Sequence, residues 1–318
     1  MSGIIPLGDK DRVREERIMK KKLAAVCMAA VMSVSALTAC GGTAPAAGGS
    51  APAAQAGQET SSKLTAKVID IDLTTEEYAF GIDKDQPELL EKTNEYIAQI
   101  MSDGTFDEIC NKYFGDGTPT PVVSAAEDSS KDQLLVATNA AFAPFEYMEG
   151  DSYLGIDMEI AAGLAEYLGK ELVIQNMEFD AVCLSVGQHK SDIAMSGLTI
   201  KEERKEFVSF TDPYYEASQK LVVRSDNTEF DGCADAAAIE AILNAKDSSV
   251  SVGVQNGTTG QLYCEGDEEW EFAGYQMTCK GYKNGSLAVQ DLLNGNLDYV
   301  VIDAAPAKFI TESINALQ

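Results

Sequence analysis

Histidine and tryptophan each occur once in the 318 residues, and basic residues are few, with Lys and Arg numbering 24 against 51 Asp and Glu. With His189 the single imidazole, no multi-histidine zinc site can be assembled, and the seven cysteines include no CxxC pair to supply thiolates instead. Neither a metal nor a cofactor is expected. The formal charge of −27 repels phosphate backbones and anionic membrane surfaces, which excludes nucleic-acid binding. The apolar run from Leu23 to Ala36 is too short to span a bilayer as a stable anchor.

That run has a different meaning in its context. Lys20, Lys21 and Lys22 precede it as a positive region, so the two together read as a secretory signal, with Met1 or Met19 as the start. It ends in Leu37-Thr38-Ala39-Cys40 before Gly41-Gly42, which resembles a bacterial lipobox, where cleavage leaves a lipidated cysteine at the new N-terminus. The plainer alternative is an unmodified Cys40 beside a simple cleavage site. Cys27 leaves with the signal, so Cys110, Cys183, Cys233, Cys264 and Cys279 remain in the folded part. In an oxidising compartment Cys264 and Cys279 are the candidate pair, against a role as small buried hydrophobes for most of the five.

A hydrophobic content of 45% reads as globular, and the length suffices for one large domain or two lobes. Residues 40–63 are almost entirely small and polar and form an expected flexible tether. A second linker is expected over 117–131, where Pro119 and Pro121 interrupt two periodic regions. Before it, strands are predicted near Lys67–Ile71 and Tyr78–Ile82. Helical spacing then runs through Leu89, Thr93, Ile97 and Ile100 to a cap at Gly104, and a short helix opens at Thr105. After it, strands at Leu134–Thr138, Leu172–Gln175, Asp192–Ser196, Leu221–Val223, Val250–Val254 and Tyr299–Ile302 alternate with helices at Asp157–Leu168, Ala234–Ala245, Ser286–Leu293 and Ala304–Leu317. Such alternation predicts an α/β fold with largely parallel sheets, whose ligands sit beyond the carboxyl ends of strands or between lobes.

Four motifs follow one another in the second region. They are NAAFAPFEY at Asn139–Tyr147 with Gly155–Ile160; Ser196-Gly197-Leu198-Thr199 with Glu202-Glu203-Arg204 and Phe210–Tyr215; Val254–Gly260; and Val301-Ile302-Asp303. Together, in this order, they resemble the polar amino-acid branch of the bacterial extracellular solute-binding proteins, family 3. The resemblance implies a two-lobed, type II periplasmic-binding-protein-like fold with hinge strands. In the family the chain ordinarily closes with a hinge strand and helices ending in an aromatic-Gly pair. Here that ending resembles Glu77–Ile82 through Lys112-Tyr113-Phe114-Gly115, placed before the rest. A circular permutation is therefore expected, with lobe 1 formed by 79–217, including the 117–131 linker, and lobe 2 by 64–78 and 218–318. A tandem of two incomplete copies is the competing account, and no segment occurs twice.

The family's function implies what the site must hold. A free amino acid brings a carboxylate and an ammonium, and burying either unpaired costs several kcal/mol, roughly. Arg204 is the expected carboxylate clamp, its planar guanidinium matching two oxygens, against the plain role of a surface arginine in the run Lys201–Lys205. The resemblance adds the Thr199 and Thr259 backbone N–H groups, with Thr258 in support and Gln255 in the same stretch. Asp303 is the implied ammonium acceptor, a role compatible with capping the helix that follows it. Ser196 and Gly197 share that cation, and Phe142 and Phe179 are implied aromatic walls. Asn139 stands where relatives with basic ligands commonly carry an acid, which tilts the reading toward a neutral polar ligand, while Glu146 and Glu178 leave a cationic one open.

The implied protein is a lipid-anchored monomer on the outer face of the bacterial membrane or in the periplasm, handing an amino acid to the permease of an ABC importer. Two other classes compete. An enzyme on the same scaffold, like the cyclohexadienyl dehydratases, needs a general acid, for which His189 is the only imidazole. An amino-acid sensor needs a signalling or membrane-spanning segment.

Overall fold

Short apolar runs, as at Leu134–Ala137, Leu221–Val223 and Tyr299–Ile302, form the central strands, and the longer periodic segments form helices around them. The computed structural model describes residues 63–318. The expected signal, Cys40 and all but the last residue of the tether lie outside the described residues. Along the chain, β1 (Ala66–Val68), β2 (Glu76–Tyr78) and β3 (Gly81–Asp83) lead into α1 (Pro87–Asp103) and α2 (Thr105–Phe114). Next come β4 (Gln133–Thr138), the small meander β5 (Ala141–Phe142), β6 (Glu146–Glu149) and β7 (Ser152–Leu154), then α3 (Ile156–Leu168) and β8 (Glu171–Asn176). They are followed by α4 (Phe179–Gly187), β9 (Ile193–Ala194), α5 (Glu202–Lys205), β10 (Val208–Phe210) and β11 (Tyr215–Ala217). The remainder comprises β12 (Gln219–Arg224), α6 (Ala236–Asn244), β13 (Ser251–Gln255), α7 (Thr259–Glu265), β14 (Thr278–Tyr282), α8 (Gly285–Leu293), β15 (Tyr299–Asp303) and α9 (Ala304–Ala316).

Local chemistry sets the helix ends. In α1, Leu89, Thr93, Tyr96, Ile97 and Ile100 make one buried face, Pro87 occupies the first turn, and Gly104 ends the helix at φ 88°. The Asp235 carboxylate accepts from Ala238 N at the start of α6, and Asn284 does the same for Leu287 N at α8.

The molecule is two-lobed, each lobe carrying one five-stranded sheet: β8-β4-β9-β3-β10 and β14-β13-β15-β12-β1. Their internal wiring is the same. In one, β4 runs parallel to β8 and β9, while β3 is antiparallel to β9 and β10. In the other, β13 runs parallel to β14 and β15, while β12 is antiparallel to β15 and β1. The edge strand equivalent to β10 is thus β1, which the chain supplies first instead of last. The chain passes between the sheets through β11 and through β2, which pair antiparallel with Tyr78 opposite Tyr215 and Glu76 opposite Ala217. At the edge, Ala66 N donates to Asn315 Oδ1 at 2.9 Å and Asn315 Nδ2 donates to Ala66 O at 2.8 Å, so β1 and the end of α9 are neighbours.

Three expectations are revised. Residues 117–131 are not a linker with few contacts: Thr120 N donates to Glu159 at 2.9 Å, Ile174 N donates to Ser124 Oγ at 2.8 Å, and Val122 bridges Tyr153 and is 6% exposed. The prolines interrupt periodicity without freeing the backbone, whose polar groups find partners on α3 and β8. The strand expected at Tyr78–Ile82 is two strands, because the chain turns from the crossing into a sheet there. Cys264 and Cys279 are both free thiols, and the neighbouring Cys279 thiol together with burial pushes Cys264 well above the ordinary thiol range. Among the described residues no helix is long and apolar enough to cross a membrane.

Candidate functional site

The carboxyl ends of the parallel strands from both sheets converge on one narrow, nearly closed cavity lined by Phe142, Phe179, Gly197, Thr199, Arg204, Gln255, Thr258, Thr259 and Asp303. Every one of these was expected at the site from sequence. Of the remaining candidates, Asn139 and Ser196 stand one layer behind it. Ser196, expected to share a ligand cation, accepts from Asn139 N at 3.0 Å and donates to Glu146 Oε1 at 2.9 Å. Ser196 is not among the residues lining the cavity, and its hydroxyl proton points to Glu146.

Arg204 lies on the short α5 and is 6% exposed. Its Nη1 donates to Thr199 O at 2.8 Å and its Nη2 to Gly257 O at 3.1 Å, the second bond crossing from one sheet's lobe to the other's. The guanidinium stands 5.4 Å from the centre of the Phe179 ring. Thr259 Oγ1 donates to Thr199 Oγ1 at 3.0 Å, and Thr199 Oγ1 in turn donates to Glu76 Oε2 at 2.6 Å. The Thr258 hydroxyl donates to Gln255 O at 2.8 Å, which tightens the turn into α7.

Asp303, at the end of β15, is 5% exposed. Its side chain does not cap α9; it accepts from the Tyr78 hydroxyl at 2.6 Å. Sequence reasoning placed Tyr78 in a crossing strand and gave it no part in the site; its position before Phe80-Gly81 carries no signal of where the hydroxyl reaches. Burial first, then the charge of Glu76, pushes the Asp303 carboxyl up to about 7. Asp157, accepting from Gly197 N at 2.9 Å and from Tyr214 at 2.7 Å, is also pushed up to about 7 by burial. Glu146 is raised well above the carboxylate range by burial and then by Asp157. Gly197 holds φ 52° in the middle of this group, where a Cβ would stand 3.0 Å from the Phe142 ring.

Outside the cavity a second contact joins the lobes. Lys201, 3% exposed, places Nζ 3.0 Å from Asp267 and 2.8 Å from Glu269, and 4.2 Å over the Trp270 ring. Lys283 reaches Glu178 at 2.9 Å, so the Glu178 carboxylate is paired on the surface. His189 ends α4 with φ 57° and its Nδ1 is 2.8 Å from Asp83 Oδ2; it is not among the residues lining the cavity.

Two α/β lobes joined by paired crossings, with Arg204 and Asp303 buried in the cleft between them, are the architecture of the periplasmic-binding-protein-like fold. Residues 134–305, more than half of the chain, match the model of the bacterial extracellular solute-binding proteins, family 3, and the chain belongs to that family. The arginine-binding extracellular protein ArtP of Bacillus subtilis (strain 168) is 33% identical over 135 residues, 42% of this chain and 48% of that protein. The ABC transporter arginine-binding protein 1 of Escherichia coli (strain K12) is 30% identical over 178 residues, 56% of this chain and 65% of that one. This chain therefore spans about half to two thirds of the length of these relatives. Among solved structures, the ancestral amino acid-binding protein AncCDT-1, a precursor of cyclohexadienyl dehydratase, is 30% identical with a TM-score of 0.49, covering 57% of this chain and 75% of that one.

Proposed function

We propose that this protein captures a free amino acid between its lobes and delivers it to the permease of an ABC importer, held as a monomer at the outer face of a bacterial membrane by lipid on Cys40. The observation that carries the reading is that Arg204 and Asp303, of opposite charge and each nearly fully buried, line the same cavity. A zwitterion supplies the counter-charge to both. Arg204 has N–H groups beyond the two it spends on Thr199 and Gly257, and these suit a carboxylate. Asp303 suits the ammonium. The relatives named above bind arginine by their names, which fits the reading. A thermal-shift screen against the common amino acids tests it: a true ligand at about 100 times its Kd stabilises the fold by roughly 2.7 kcal/mol, and no shift with any of them rejects it.

The Asp303 carboxyl gives the proposal a pH signature. An ammonium pairs with the ionised form, and that form is depleted below about pH 7. Affinity is therefore expected to be highest near pH 8, where the carboxylate is ionised and the ligand's ammonium still protonated, and to fall up to tenfold per pH unit below 7, read by calorimetry. Stability without ligand moves the other way. The folded pKa of Asp303 lies above the unfolded value of about 3.9, so the folded state binds more protons in between. This group's contribution to stability is largest at low pH and is lost as pH rises toward 7.

Circular permutation is the architecture we propose with this function. It is supported by the shared wiring of the two sheets, by β1 occupying the place of a last strand, and by its hydrogen bonds to Asn315. The family match also begins only at residue 134. A chain re-ligated as 117–318 followed by 64–116, which keeps the packed 117–131 segment, is expected to fold and to bind the same ligand within about threefold in Kd. A re-ligated chain that is unfolded by circular dichroism counts against it.

Catalysis on this scaffold is the weaker reading. The imidazole considered as its acid is engaged with Asp83, and the cavity's one lining carboxylate, Asp303, shares it with the fixed positive charge of Arg204, an arrangement suited to holding a zwitterion.

A further inference from the structure

With Arg204, Thr199 and Thr259 assigned to a carboxylate and Asp303 and Gly197 to an ammonium, Phe142, Phe179, Thr258 and Gln255 remain to meet the ligand's side chain. The Thr258 hydroxyl is spent on Gln255 O. Gln255 is therefore the polar group left at that end, and its orientation is determined by a relay that starts outside the cavity. The Met177 carbonyl can only accept, so the Asn139 side chain turns its Nδ2 toward it, at 2.6 Å. That leaves Asn139 Oδ1 facing Gln255, where it must receive an N–H, and Gln255 Nε2 supplies one at 3.1 Å. The consequence is that Gln255 keeps its carbonyl oxygen for the cavity. Gln255 is 2% exposed, and its Oε1 is buried with no hydrogen-bond partner. A buried acceptor without a donor is costly, and a ligand that brings the donor removes that cost.

We propose that Gln255, oriented by Asn139, is the specificity-determining residue of the cavity, selecting amino acids whose side chain carries an N–H donor between the two phenylalanine rings and rejecting those that can only accept or are apolar. Both a carboxamide and a guanidinium satisfy it; a carboxylate places oxygen against oxygen. The inference rests on the reading of the cavity as an amino-acid site. It goes further in stating which chemistry the side-chain end demands and which residue sets it.

The test compares L-glutamine and L-arginine, which donate, with L-glutamate and L-norleucine, which do not, by isothermal titration of the intact protein. At least one donor is expected to bind about tenfold or more tightly than both non-donors, the usual effect of leaving one buried polar group unpaired. In Gln255→Leu the preference for that donor over norleucine is expected to shrink to within threefold. Asn139→Leu removes the relay and lets the Gln255 amide turn, so discrimination between glutamine and glutamate is expected to narrow even where Gln255→Leu folds poorly. Glutamate or norleucine binding as tightly as the best donor overturns the proposal, and so does an unchanged preference in both variants. If none of the four produces heat or a thermal shift while another amino acid does, the site reading stands and this inference falls. If no amino acid binds, both fall.

Discussion

Arg204→Ala is expected to weaken binding of the amino acid by a factor of roughly 30 to several thousand, the range found when one partner of a buried, hydrogen-bonded charge pair is truncated. The effect is large because the cavity has no second cation among its lining residues to take over a carboxylate. The substitution also releases the carbonyls of Thr199 and Gly257, which lie on opposite sides of the cavity and are bridged by this one side chain. Both carbonyls can be reached by water once the cleft opens, so the fold itself is expected to survive, with circular dichroism unchanged. Arg204→Lys keeps the charge but loses the flat two-pronged donor, and an intermediate loss is expected. A change of less than tenfold for the alanine variant, about 1.4 kcal/mol, removes Arg204 from the role of clamp.

Gly155→Ala is expected to cost about 3 kcal/mol or more of stability, lowering the melting temperature by roughly 6–12 °C for a chain of this size. Gly155 sits between β7 and α3 at φ 127°, a conformation an L side chain rarely takes. A Cβ there would stand 1.9 Å from the backbone oxygen of Phe145. That oxygen cannot move aside freely, since it accepts from Asp157 N at 3.0 Å, and Gly155 N itself donates to the Tyr113 hydroxyl at 2.8 Å. The strain falls on the segment that aims Asp157 at Gly197, so affinity is expected to drop with stability. A melting temperature within 2 °C of the unsubstituted protein would show that the backbone relaxes after all.

The legible parts of the fold were those whose determinants are local. Helix α1 announced itself by the spacing of Leu89, Thr93, Ile97 and Ile100 and by Gly104, and the structure ends it at that glycine. The meander of β5, β6 and β7 was missed, because strands of two to four residues leave too little alternation to detect. Helix α4 went unassigned for the opposite reason: Phe179 to Gly187 is apolar on most sides, so no polar face marks its period. The site followed the same division. Arg204 and Asp303 could be named from motifs, whereas the bond from Tyr78 to Asp303 joins residues 225 apart in the chain and has no sequence signature. The Lys201 contact with Asp267, Glu269 and Trp270 is equally invisible, since a lysine in a charged run looks like surface until its partners are in place.

The two crossings between the lobes, β2 and β11, lie side by side as one antiparallel ribbon held over three consecutive residue pairs. A single strand between lobes would behave as a ball joint, free to swing and twist. Two strands bonded edge to edge behave as the spine of a book: sliding one page past the other breaks the ribbon's hydrogen bonds, while turning about the spine keeps them. Opening of the lobes, which the proposed capture of a ligand requires, would thus reduce to one angle. Tyr78 sits on the spine and holds Asp303 by its hydroxyl, so the charge proposed to meet the ligand's ammonium is fastened at the axis, where turning would displace it least.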